Sequence, residues 1–220
     1  MWCIYKGAGE STIEITGVDS LRNVEWDVLF DRIEAGTYLV AGAITNGHIV
    51  VKKIQPKTIQ VLTKKLVEMG VDVSFGEDWV EADATSSEIR CADIGTEPFP
   101  GFPTDMQAQF MALNTIAQGS CTIEETVFEN RFQHVSQLRK MGADIVLSKN
   151  KAFVKGVINL VGSEVKASDL RASASLVLAG LVGKNRTQID NIYHIDRGYE
   201  CIEEKLNKLG ADIIREPVVY

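Results

Sequence analysis

The chain has 220 residues, 45% of them hydrophobic and 24% charged, an ordinary globular composition that excludes a disordered or fibrous protein. Thirty acidic against 23 basic residues leave a net charge of −7. That excludes a nucleic-acid partner held by a broad basic surface, but not a local cationic pocket for a small anion.

Three segments of the chain share one layout. The first opens at Asp31 in FDRIEAGTYLVAGAI and runs to Gly47; the β-rich HIVVKKI follows, then a second helix ending in LVEMGVDV. The second opens at Asp105 in FPTDMQAQFMALNTIA, stops at Gly119, passes through SCTIEETVF and ends its second helix in LRKMGADI. The third opens at Asp169 in ASDLRASASLVLAGLV, stops at Gly183, passes through KNRTQIDNI and ends in LNKLGADI. The closing glycines Gly70, Gly142 and Gly210 lie 72 and 68 residues apart. One supersecondary unit per long period marks an internally symmetric fold. The layout predicts a single domain over 1–220 with three repeats at about 12–92, 93–165 and 166–216.

The second helices are amphipathic. Ile59, Leu62, Leu66 and Met69 share one helical face, as do Tyr199, Ile202, Leu206 and Leu209. The glycine after each suits a left-handed C-cap. Short alternating strands are expected next, VDVSF with DWVEADA and ADIVLSK with AFVKGVINL. The first helices, by contrast, are apolar around most of their circumference and rich in Ala, Gly and Ser, as buried, closely packed helices are. An inner helix bundle with sheets outside it follows: an α/β, inside-out barrel. The stretch TEPFPGFPTD reads as a loop whose prolines hold the chain extended ahead of Asp105.

The longest uncharged apolar run, Ala172 to Gly183, falls far short of the ~20 residues of a membrane span. MWCIYKGAG has no signal-peptide core. Cys3, Cys91, Cys121 and Cys201 are scattered, without a CxxC or a histidine at metal spacing. They read as ordinary thiols of a reducing cytoplasm, with no metal, cofactor or membrane partner implied.

Asp105 heads the candidates for chemistry. An Asp at a helix start is ordinarily a cap. Here Thr104 and Gln107 already spell a T-x-x-Q capping box, which leaves the carboxylate available. Asp31 with Glu34 is a capping box by itself and reads as structural. Arg131 in TVFENRF and Arg197 in YHIDRGYE precede the second helices of repeats two and three, with Lys57 at the matching place in repeat one. A guanidinium fork suits a carboxylate or phosphate; the bland alternative is a surface ion pair with Glu129 or Asp196. Asp169 and Arg171 open an otherwise apolar helix, and either cap it or reach a polar cleft. His48, His134 and His194 read as packing or surface residues. An anion site near Asp105, Arg131 and Arg197 is as far as the residues lead by themselves.

In order along the chain, DRIEAGTYLVAGAI, FPTDMQAQF, ETVFENRF, DLRASASLVLAG and YHIDRGYE resemble the UDP-N-acetylglucosamine 1-carboxyvinyltransferase family, the enolpyruvyl transferases of early peptidoglycan synthesis, over roughly residues 8–216. The resemblance implies one of two domains built from βαβαββ-type units, with the active site between them. The reaction implied moves the enolpyruvyl group of phosphoenolpyruvate onto the 3-hydroxyl of UDP-N-acetylglucosamine through a tetrahedral intermediate. It implies that Asp105 takes or orients the hydroxyl proton and binds the sugar, that Val127 lies against the sugar nucleotide, and that Arg197 holds phosphoenolpyruvate. Arg131 would line the cleft, with Asp169 and Arg171 as neighbouring polar groups. The family's N-terminal lysine–asparagine pair, its cysteine-bearing loop and its N-terminal strand segment have no match here, so the chain is expected to be the C-terminal half, inactive alone. The alternatives are a non-catalytic binding or regulatory module on the same fold, a related transferase of the shikimate pathway, or a partner chain that supplies the first domain.

Overall fold

A computed structural model of the chain describes residues 4–216, so Cys3 lies outside the described residues. Two compact units are present, Met1–Phe30 and Asp31–Tyr220. In the first, β1 (Ile4–Lys6) and β2 (Glu14–Thr16) form an antiparallel pair with Tyr5 opposite Ile15. Its apolar side chains, Trp26 and Val28 among them, stand exposed.

In the second unit, α1 (Arg32–Ile44) begins where the Asp31 carboxylate accepts the backbone N–H groups of Ile33 and Glu34. Strand β3 (His48–Lys52) follows, then a 3-10 turn at Pro56–Ile59 and α2 (Gln60–Glu68). The hairpin β4 (Asp72–Phe75) and β5 (Trp79–Asp83) completes an antiparallel sheet in the order β3-β5-β4. Next come β6 (Ile94–Gly95), α3 (Gln107–Asn114), β7 (Ser120–Glu124), α4 (Val135–Lys140), β8 (Asp144–Ser148) and β9 (Lys151–Lys155). They give a four-stranded sheet in the order β6-β7-β9-β8, β6 parallel to β7 and the rest antiparallel. The last stretch carries β10 (Glu164–Lys166), α5 (Leu170–Val182), β11 (Gln188–Asp190) and α6 (Ile202–Lys208), with β10 and β11 paired in parallel.

The apolar helices α1, α3 and α5 pack on one another, most extensively α3 on α5. All eight residues of α3 are buried. Glycines in α1 let the outer elements close on it: a Cβ at Gly36 would stand 2.7 Å from Leu62 Cδ1 of α2, and one at Gly42 2.6 Å from Ile49 Cγ2 of β3. Helices inside and sheets outside is the arrangement expected from the composition of these helices.

The second helices end identically. Gly70, Gly142 and Gly210 take φ of 97°, 90° and 103°. The residue after each donates its N–H five residues back: Val71 to Leu66, Ala143 to Leu138 and Ala211 to Leu206. This is the six-to-one bond of a Schellman cap, which needs a left-handed residue just past the helix. Of the residues expected on the buried faces, Ile59, Leu62, Leu66 and Met69 are fully buried, and so are Tyr199, Ile202 and Leu206. Leu209 is 60% exposed, against 0% for Met69 and Met141 at the same place in the other two helices. A hairpin follows the first two caps, whereas residues 211–216 form no strand and leave Leu209 uncovered. Among the described residues no helix is long and apolar enough to cross a membrane.

Candidate functional site

The loop ahead of α3 does not run extended throughout. Residues 98–101 make a turn closed by Gly101 N–H to Pro98 O, and Glu97 N–H donates to Phe102 O. Only Pro103, at φ −71° and ψ 132°, leads straight into the 3-10 turn Thr104–Met106 that opens α3. The expected capping box does not form. Thr104 Oγ1 donates to Glu125 Oε2 at 2.8 Å, while the Gln107 side chain is buried and neither amide atom finds a partner among the described residues. The first N–H groups are served by backbone instead, Met106 to Pro103 O and Gln107 to Thr104 O. The Asp105 carboxylate is thereby free of any capping duty.

It is held by two guanidiniums. Arg131 Nη2 donates to Asp105 Oδ1 at 2.7 Å and Arg171 Nη2 to Oδ2 at 3.3 Å. The two arginine side chains are 18% and 13% exposed and the Asp105 side chain 39%, so the carboxylate is the open member of the group. Burial pushes its pKa up, but Arg171 and then Arg131 outweigh that and hold it below the usual carboxylate range. Arg131 also lies over the Phe128 ring, 5.0 Å from its centroid. The bland partner for Arg131, Glu129, is not the one it takes.

Arg171 is anchored from behind. Its guanidinium sits 5.8 Å from the Tyr199 ring centroid, with Nη1 3.5 Å from the phenol oxygen. The Tyr199 hydroxyl meets Thr37 Oγ1 of α1 at 2.8 Å, and Gln109 Nε2 of α3 donates to both, at 3.3 and 3.2 Å. A polar chain thus runs from the carboxylate into the middle of the helix bundle. Sequence reasoning gave none of these three a polar role and read Tyr199 only as part of an apolar helix face; Thr37 and Gln109, polar residues at buried positions of α1 and α3, were the available signal.

Glu125 was missed as well. It is 4% exposed, and its carboxylate accepts from Thr96 Oγ1, Thr104 Oγ1 and the N–H groups of Val127 and Phe128, all at 2.7–3.0 Å. Four donors on one buried carboxylate clamp the loop before Asp105 to the loop that carries Val127 and Arg131. The Val127 side chain stays 41% exposed on that loop.

Asp169 caps α5, accepting the N–H groups of Arg171 and Ala172 at 2.9 Å. Arg197 ends the 3-10 turn Ile192–Arg197, exposed and without an ion pair among the described residues. Its neighbour Asp196 is engaged by Arg215. Lys57 is exposed in its own 3-10 turn. The structure therefore gathers Asp105, Arg131 and Arg171 into one cluster and leaves Arg197 outside it, two residues from Tyr199. His134 is 2% exposed behind Arg131 and Asp169, and burial lowers its pKa to about 4, so it stays neutral near pH 7.

An open carboxylate between two forked cations, at the start of a buried helix, can bind a hydroxyl and an anion side by side. Comparison with known proteins gives this geometry a family. The EPSP synthase (3-phosphoshikimate 1-carboxyvinyltransferase) family profile matches residues 4–206. The chain is 56% identical over 209 residues to the UDP-N-acetylglucosamine 1-carboxyvinyltransferase of Coxiella burnetii, covering 95% of this chain and 48% of that protein. It spans about half the length of the curated relatives it matches. The enolpyruvyl transferase NikO of Streptomyces tendae superposes with a TM-score of 0.84 at 30% identity, over 96% of this chain and 50% of NikO. EPSP synthase of Acinetobacter baumannii, at 18% identity and a TM-score of 0.67 over 84% of this chain and 46% of its own, shares the fold. Profile, sequence and structure agree that the chain belongs to the EPSP synthase family of enolpyruvyl transferases.

Proposed function

We propose that the chain forms one wall of a cleft in which the enolpyruvyl group of phosphoenolpyruvate is transferred to the 3-hydroxyl of UDP-N-acetylglucosamine, the first committed step of peptidoglycan synthesis in the cytoplasm. A second domain, the family's N-terminal one, supplies the facing wall, and three quasi-equivalent units (about 12–92, 93–165 and 166–216) build this one. The observation that carries the reading is the Asp105 carboxylate gripped by Arg131 and Arg171.

In that pairing Asp105 is a weak base, because both cations favour its ionised form. It orients the sugar hydroxyl by accepting its hydrogen bond. An anionic substrate group that draws either arginine away raises the basicity of Asp105 at the moment a proton has to leave the hydroxyl. Arg197, exposed and unpaired with any acidic side chain among the described residues, is available for the phosphoenolpyruvate carboxylate. Val127 rests against the sugar nucleotide, and Asp169 presents Arg171 by capping its helix. A lone wall neither excludes water nor supplies the acid that protonates the methylene carbon, so the chain is inactive by itself.

A chimera tests this: residues 8–216 replace the matching half of the Coxiella burnetii enzyme, and phosphate release is followed with phosphoenolpyruvate and UDP-N-acetylglucosamine. Turnover that requires both substrates, and is absent when shikimate 3-phosphate replaces the sugar nucleotide, is expected. A folded chimera that binds neither substrate, or one that prefers shikimate 3-phosphate, overturns the proposal.

A further inference from the structure

Cys91 and Cys121 lie 30 positions apart in the sequence and side by side in the fold. Just before β6, the Arg90 backbone bridges to Gln118 and Cys91 N–H donates to Gln118 O at 2.8 Å. Three residues on, Ile94 of β6 pairs in parallel with Ile123 of β7. This brings Cys91 beside the first residues of β7: a Cβ at Gly119 would stand 4.0 Å from Cys91 Cβ, and Cys121 is two residues further along. The parallel pairing of β6 with β7 thus makes the two side chains neighbours. Cys91 Sγ also lies 3.5 Å from Asn114 O and 3.6 Å from Ala117 O, so its position is fixed by backbone on the side of α3. Both are free thiols, Cys91 half-buried and Cys121 buried. An open cavity of about 370 Å³, lined by Asp93, Cys121, Thr122, Phe153 and Lys155, reaches Cys121.

We infer that Cys91 and Cys121 form an oxidation site at which a peroxide closes an intramolecular disulfide between the lead-in to β6 and β7. Cys91 reacts first. It is the more accessible of the two, and the neighbouring Cys121 thiol favours its thiolate, whereas Cys121 is held as the thiol by its neighbour and by burial. The Cys91 thiolate attacks one peroxide oxygen, the O–O bond breaks, and the departing oxygen takes up a proton as water, leaving Cys91 as a sulfenic acid. The Cys121 sulfur then attacks Cys91 sulfur, the S–O bond breaks, and the Cys121 proton leaves with the hydroxide as a second water. Two thiols are oxidised by two electrons and hydrogen peroxide is reduced to two waters. Asp93 opposes thiolate formation at both sulfurs and Lys65 favours it at Cys121, and Lys65 is held nearby by donating from Nζ to the Asp93 backbone carbonyl at 2.7 Å.

The cross-link would sit at the foot of the two strands whose upper ends lead to Thr96 and Glu125, the clamp beneath the Asp105 loop. Its existence does not depend on the enolpyruvyl-transfer reading, since it concerns only the thiols.

The test uses the chain with C3S and C201S, so that only these two thiols remain. After treatment of the folded protein with hydrogen peroxide and blocking with iodoacetamide, peptide mapping should find Cys91 and Cys121 joined, with a mass about 2 Da below that of the two thiols and full reversal by dithiothreitol. With C121S added, Cys91 should be trapped as its sulfenic acid by dimedone; with C91S instead, Cys121 should oxidise at least about tenfold more slowly. Far-UV circular dichroism on each variant shows that the fold is intact. Three results would overturn the inference: both cysteines still alkylated, Cys91 carried to the sulfinic acid beside an unreacted Cys121, or a disulfide that forms only in urea.

Discussion

At the entrance to α1 the Asp31 carboxylate accepts the N–H groups of Ile33 and Glu34, and at the entrance to α5 Asp169 does the same for Arg171 and Ala172. At the entrance to α3, Asp105 accepts nothing from its own helix and faces Arg131 and Arg171. The difference lies in who satisfies the first N–H groups. Where α1 and α5 begin directly, the carboxylate must do it; where a 3-10 turn precedes α3, the carbonyls of Pro103 and Thr104 do it. One extra tight turn converts a structural carboxylate into one that is free for chemistry.

The largest test of that contrast is Asp105→Ala in a catalytically complete chimera. Loss of a general base or hydroxyl-orienting group should cost roughly 10²–10⁴-fold in kcat with the fold intact by circular dichroism, because no backbone group loses its partner, although Arg131 and Arg171 lose theirs and some stability with it. Turnover close to that of the parent would return Asp105 to the same structural class as Asp31.

The Glu125 clamp should respond the other way. Glu125→Ala strands two hydroxyls and two backbone N–H groups at a buried position, and each unsatisfied buried group costs about 1–3 kcal/mol. Water entering the space left behind would recover part, so a net loss of about 3 kcal/mol in denaturant unfolding is expected. A loss under about 1 kcal/mol would mean the four donors have other partners at hand.

His134 supplies the pH dependence. Its folded pKa, lowered to about 4 by burial, lies below the ~6.5 of an unfolded histidine. The unfolded chain therefore binds the extra proton, and this group's contribution is complete above pH 6.5 and lost as pH falls toward 4, by about 3 kcal/mol in all. Urea titrations of the chain and of His134→Asn between pH 7 and 4 should show a shallower fall in the variant. Parallel curves would place the acid sensitivity elsewhere.

Legibility in the sequence followed distance along the chain. The faces of α2 and α6, the three glycine caps, the apolar inner helices and the cap at Asp31 are all set by residues within a turn or two of each other, and each could be read directly; for Asp169 the same local reading left a cap and a cleft residue both open. Leu209 could not: its helix spells the same face as α2, but no following hairpin covers it. The partners of Asp105 stand 26 and 66 residues away, and Tyr199 meets Thr37 across 162. The quasi-repeat placed Arg131 and Arg197 as equivalents, yet only Arg131 joins Asp105, while Arg171, read from its neighbours as half of a helix start, supplies the second fork. A capping box at Thr104 and Gln107 was spelled correctly and still failed, because Glu125, twenty-one residues on, competes for the Thr104 hydroxyl with a full charge.

The smallest expected effect belongs to Asp31. Replacing an N-cap Asp by Ala costs about 1 kcal/mol, since one or two N–H groups turn to water at the exposed helix end. Glu34 does not reach back to close the box; its carboxylate meets Lys205 Nζ at 2.8 Å, so it cannot stand in for the lost cap without breaking that pair. Asp31→Ala should therefore lower the unfolding free energy by about 1 kcal/mol and leave kcat of the chimera within about twofold. If kcat falls as far as in Asp105→Ala, the entrance to α1 reaches the reacting groups too, and a 3-10 turn is not what separates a structural carboxylate from a chemical one.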